Sequence, residues 1–124
     1  GTLFPYTTLF RSPSFSWAGS WTAYFGEVGS DVTINSVINV TVTDRNFATT
    51  MDVGSPEPFV LRGTISEDNL SVSGTWTYFA VSGTFRFYAL GANQFQGSGE
   101  DEFDVFQWCG SRSGMGKPSP CYQP

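Results

Sequence analysis

Apolar and polar side chains alternate with a period of two through most of the chain, and no segment longer than a few residues repeats at the helical period. The clearest run is Leu70–Tyr78. Leu70, Val72, Trp76 and Tyr78 fall on one face of it, and Ser71, Ser73, Thr75 and Thr77 on the other. Successive side chains point to opposite faces of a strand, so this run predicts a strand with one core face and one wet face. Phe59–Ile65 predicts its partner. Glu67-Asp68-Asn69 supplies the turn between them, since Asp and Asn tolerate the left-handed backbone that tight turns need.

The same reading continues along the chain. Thr84–Leu90 and Gln94–Ser98 flank the turn Gly91-Ala92-Asn93, and Val37–Thr43 and Phe47–Val53 flank Asp44-Arg45-Asn46. Trp17–Phe25 is expected as the first strand and Phe103–Arg112 as the last. Gly54-Ser55-Pro56-Glu57-Pro58 separates strands, because its prolines have no backbone donor to give a sheet. About eight short strands joined by turns predict an all-β antiparallel meander. It is expected to curl or close into an up-and-down barrel, which removes exposed edges. A two-sheet β-sandwich is the alternative.

Thr2 to Ser12 matches, codon by codon, the in-frame translation of a common short-read sequencing adapter. Residues 1–12 are therefore expected to be an artefact of a metagenomic assembly and stand outside the fold. Residues 13–112 form the expected β domain, and 113–124 an irregular tail. On this reading the native start is missing, so a signal peptide cannot be seen.

Composition narrows the class. Charged residues make up only 14% of the 124, below the usual figure of about a quarter. Thr, Ser, Gly and Asn replace them, a profile of secreted, periplasmic or cell-surface β-proteins. Twelve Phe, five Tyr and four Trp give a small core large side chains to bury. The net charge is −5, and no basic stripe exists to neutralise phosphates, which argues against nucleic-acid partners. No apolar run is long enough for a transmembrane helix.

Gly19-Ser20-Trp21, Ser73-Gly74-Thr75-Trp76 and Trp108-Cys109-Gly110-Ser111-Arg112, with the hairpin Gly83–Phe87 to Asn93–Gly97, carry a resemblance. Together they resemble secreted bacterial β-meander domains with Gly-Thr-Trp units and a closing Trp-x-Gly-x-Arg strand. Those domains are mostly uncharacterised, so the resemblance implies fold and export and brings no catalytic residues. Cys109 departs from the pattern only at a variable position. The Gly before Trp is expected to leave room for a cross-strand aromatic or for close backbone approach.

Candidate chemistry is sparse. Cys109 and Cys121 are the only cysteines, and in an exported protein a disulfide tying the tail to the last strand is the expectation. The chain has no His. That removes the Ser-His-Asp triad, the activated Cys-His pair and most zinc sites, and no cofactor is implied. Carboxylate catalysis of glycoside hydrolysis would need a facing pair drawn from Glu57, Glu67, Asp68, Glu100, Asp101, Glu102 and Asp104. The last four are also weak calcium candidates, though their spacing departs from the EF-hand loop. Asn39-Val40-Thr41 and Asn69-Leu70-Ser71 fit the N-glycosylation pattern. Trp17, Trp21, Tyr24, Tyr88 and Trp108 are candidates for stacking on a ligand, weighed against the need of a small domain to bury its rings. The sequence points to a non-catalytic extracytoplasmic module that binds a surface, a glycan or a protein, or serves as part of a cell-surface structure. A barrel carrying an apolar ligand inside is the alternative, and a glycoside hydrolase is the least favoured.

Overall fold

A computed structural model describes residues 15–112 and 114–124; the adapter-like segment lies outside them. Eight strands follow in chain order: β1 Gly19–Glu27, β2 Ile34–Thr43, β3 Asn46–Met51, β4 Phe59–Ile65, β5 Ser71–Tyr78, β6 Val81–Leu90, β7 Gln94–Glu100 and β8 Val105–Ser111. Each pairs antiparallel with its sequence neighbours, and β8 returns to β1, with Thr22 opposite Ser111 and Glu27 opposite Phe106. The sheet is thus a closed up-and-down barrel rather than a sandwich. Closure pairs the edges that an open meander would expose.

β4 falls on the expected residues, and every hairpin joins the expected pair of strands. Several bounds moved. β1 starts at Gly19, so Trp17 precedes it, and β8 starts at Val105, which leaves Phe103 in a turn. β7 runs on to Glu100, two residues past the expected end at Ser98. Leu70 is half exposed and outside the core, because it sits in the β4–β5 turn beyond the end of the barrel.

The interior is a mesh of rings. Phe87 lies 4.7 Å from both Phe85 and Phe95 and 5.6 Å from Trp108, centroid to centroid. Phe59 stacks on Tyr78 at 4.4 Å and meets Trp76 at 5.3 Å. Full burial of a large apolar side chain is worth about 1.5–3 kcal/mol, and each well-placed ring pair adds about 1. Glycines on the inward face make room for this volume. A Cβ on Gly99 would come within 2.8 Å of the Trp108 ring, and one on Gly110 would strike the Phe95 ring. Gly74 plays a different part from a ring socket. Its Cβ would strike the Arg62 carbonyl and Gly63 of the neighbouring strand, so it permits close backbone approach.

One end of the barrel is plugged by residues 15–17. The Trp17 indole donates to the Asn69 carbonyl at 3.0 Å, the Trp21 indole to the Trp17 carbonyl at 3.0 Å, and the Asn69 amide to the Phe15 carbonyl. The tail lies against the outside of β7 and β8. The β7–β8 register runs through Phe95 opposite Gly110 and resumes at Ser98 opposite Gln107. Between those pairs Tyr122 bridges to Gly97, and the Gln123 amide donates to the Gly97 carbonyl at 3.0 Å.

Candidate ligand-binding groove

Outward side chains of β5, β6 and β7 align in cross-strand rows. Thr75 sits opposite Thr84 and Thr84 opposite Glu100; Ser73 sits opposite Arg86 and Arg86 opposite Ser98. The alternation that buries Val72, Trp76, Phe85 and Phe87 turns these polar groups outward. The tail turns this patch into a groove of about 550 Å³, with Val105, Tyr122 and Pro124 forming further parts of its lining. The tail is held in place by several bonds. Cys109 and Cys121 form the expected disulfide. The Tyr88 hydroxyl donates to Pro124 O at 3.0 Å, and the Gln94 and Gln96 amides donate to the carbonyls of Gly116 and Pro120.

The groove offers hydrogen-bond donors and acceptors to solvent. Ser73, Thr75, Thr84, Arg86 and Glu100 are exposed, and Ser98 and Tyr122 are half-buried. Hydroxyls both donate and accept, the guanidinium only donates, and an ionised carboxylate only accepts. Such a set matches a ligand that carries many hydroxyls of its own.

The candidate stacking rings are distributed otherwise. Trp17, Trp21 and Trp108 are each 1% exposed and belong to the core, since a barrel of this size is filled by its largest rings. They are not surface platforms. Tyr24 points outward from β1 opposite Cys109 and is half-buried. Tyr88 is outside the groove's lining and only anchors its wall, through Pro124. Sequence reasoning missed Tyr122, because nothing in an irregular tail signals that it returns to the sheet.

The carboxylates are scattered. Among the described residues Glu100 is the one acidic side chain lining the groove. Asp101 holds the β7–β8 turn, accepting from the amides of Phe103 and Asp104 at 2.8 Å each. Glu102 and Asp104 are exposed in that turn, and Glu57, Glu67 and Asp68 lie in other connections. Among the described residues no three His, Cys, Asp or Glu side chains gather to hold a metal ion. In the β4–β5 turn, the Ser66 hydroxyl and then the Leu70 amide hold the Asp68 carboxyl below the usual aspartate range. Asn39 is exposed on β2, whereas the side-chain amide of Asn69 is engaged by Phe15.

These features define a closed eight-stranded antiparallel barrel with a ring-packed interior and a polar outer groove. A solved structure of a redesigned β-barrel is similar to it, at 10% identity and a TM-score of 0.60, covering 77% of this chain and 90% of that one. The likeness extends to the fold alone. No protein-family model matches the chain, and no curated protein matches it.

Proposed function

We propose that this protein is a non-catalytic extracytoplasmic binding module that takes a glycan in the groove over β5, β6 and β7. The carrying observation is the convergence of Ser73, Thr75, Thr84, Ser98, Arg86 and Glu100 on one concavity edged by the Tyr122 ring. Amphipathic rings lend an apolar face to sugar recognition, and the polar rows supply directional bonds. Among the described residues Glu100 is the single carboxylate side chain in the groove, which supports binding over hydrolysis, because glycosidases generally use two facing carboxyls. The disulfide supports an oxidising compartment. Rings occupy the interior where a carried apolar ligand would sit, which favours the outer groove over a carrier role.

The test is calorimetric titration of the full chain with a panel of soluble plant and bacterial polysaccharides. Arg86→Ala, Glu100→Gln and Tyr122→Ala are each expected to weaken the binding found by about tenfold, the loss of about 1.4 kcal/mol, at unchanged melting temperature. A panel with no binder, or variants that bind like the parent, would sink the proposal.

A further inference from the structure

At the barrel end where β1, β5 and β7 finish, three neighbouring connections present apolar side chains to solvent. Val28 and Val32 of the β1–β2 connection, Phe79 of β5–β6 and Phe103 of β7–β8 are joined by Ile34, Val81 and Val105, the first residues of β2, β6 and β8. Phe103 is 82% exposed, in a turn fixed by the Asp101 carboxylate, so its ring is held outward by built structure. Phe79 is 54% exposed and has a φ of +53°, a left-handed backbone that bulky residues rarely take. Strain of this kind costs about 1–3 kcal/mol and clusters at functional positions.

Two grooves of about 390 Å³ flank the β7–β8 turn. Phe25, Val32, Ile34 and Phe106 give one its apolar lining; Val81 and Phe103 contribute to the other. The same connections and strand ends carry Glu27, Asp31, Glu100, Asp101, Glu102 and Asp104 and no basic residue. Among the described residues Lys117 of the tail reaches this end, its ammonium donating to the Asp31 carbonyl at 3.3 Å. The arginines of the described residues lie on β4, on β6 or towards the opposite end, in the β2–β3 turn and after β8.

We infer that this end docks a polypeptide segment that is both basic and apolar. Exposed rings supply desolvated contact area, and the acidic surround selects partners of opposite charge. Anionic lipid surfaces are disfavoured by the same charge. The site meets the polar groove only at Glu100 and Val105, and the inference does not rest on the glycan reading.

The test is an NMR titration of the isotope-labelled full chain with a short alternating Lys-Leu peptide. A Glu-Leu peptide, a Lys-Ser peptide and zwitterionic phosphatidylcholine vesicles serve as comparisons. The Lys-Leu peptide is expected to shift amides of the three connections. Phe103→Ser combined with Val32→Ser, or Glu102→Lys combined with Asp104→Lys, should weaken it by about tenfold or more without altering the remaining spectrum. No Lys-Leu binding would overturn the inference. So would equal binding of the Glu-Leu or Lys-Ser peptide, shifts confined to the outer groove, or vesicle binding in place of peptide binding.

Discussion

The guanidinium carbon of Arg112 lies 3.6 Å from the centroid of the Trp21 ring. The contact joins the residue after β8 to the first inward ring of β1, beside the seam that closes the barrel. The same guanidinium donates to the carbonyls of Ser16 and Ala18 at 3.0 and 3.1 Å, so it also clamps the segment that plugs this end. Burial pushes its pKa below the usual arginine value, though the group stays charged.

Arg112→Ala is therefore expected to destabilise the barrel by about 2 kcal/mol, combining a cation–π contact with charged hydrogen bonds. Arg112→Lys should recover less than half of that. An ammonium keeps the charge but not the flat face or the fork of donors. Denaturant unfolding followed by tryptophan fluorescence measures both; equal stability of the Lys variant and the parent would show that charge alone matters.

Gly97→Ala is expected to be among the most damaging small changes in the sheet. Its methyl would meet the Arg86 carbonyl and come within 2.8 Å of Phe87, a fully buried ring with no room to retreat. Overpacking a filled core costs about 1–3 kcal/mol, and a backbone clash places this variant at the upper end. Gly116→Ala is the control. Among the described residues nothing beyond its chain neighbours lies within 4 Å of its would-be Cβ, so its melting temperature should match the parent within error.

Strand number, hairpin pairing and the inward face of β5 were legible because one side of each strand must be oily and the other wet. Val72 and Trp76 obeyed that rule; Leu70 kept the phase but not the burial, because alternation says nothing about where the barrel ends. Trp17 illustrates another gap. It lies in the core without being in a strand, held by a bond to Asn69 far along the chain. The groove was hidden for a different reason. Ser73, Thr84 and Arg86 read as ordinary solvent-facing residues until Tyr122 and Pro124 fold over beside them. Only a long-range pairing creates the concavity, and local pattern carries no record of it.

The β4–β5 turn should show a defined pH response. The Asp68 carboxyl binds its proton more weakly in the folded protein than in the unfolded chain, with the Ser66 hydroxyl as the largest cause. Its contribution is therefore complete above the ordinary aspartate pKa of about 3.9 and is lost as pH falls through the lower folded-state value. Asp68→Asn keeps the shape without the charge. The parent is expected to be the more stable at neutral pH, and the two stabilities should converge in strong acid. Urea titrations from neutral pH downward measure this, and a gap independent of pH would contradict it.

A chain beginning at Pro13 should melt with the full-length protein. β1 and β8 already pair with each other, so the closing seam offers no free edge to a further strand. Differential scanning calorimetry is the measurement. A deficit above about 2 kcal/mol would show that residues 1–12 contribute to the fold.

Opening the disulfide separates barrel stability from groove integrity. The bridge closes a loop with a sequence separation of 12, for which the chain-entropy model gives about 3 kcal/mol. Replacing Cys109 and Cys121 together by Ser should lower stability by roughly that amount. The far-ultraviolet spectrum should hardly change, because seven of the eight strand pairings do not involve the tail. The groove should suffer more. Without the bridge the tail would rest on single, mostly exposed hydrogen bonds with Asp31, Tyr88, Gln94, Gln96 and Gly97, weak restraints for a segment rich in Gly and Pro. The double variant is thus expected to stay folded at room temperature while losing most polysaccharide binding. Unchanged binding would mean that the polar rows of β5, β6 and β7 act without their wall.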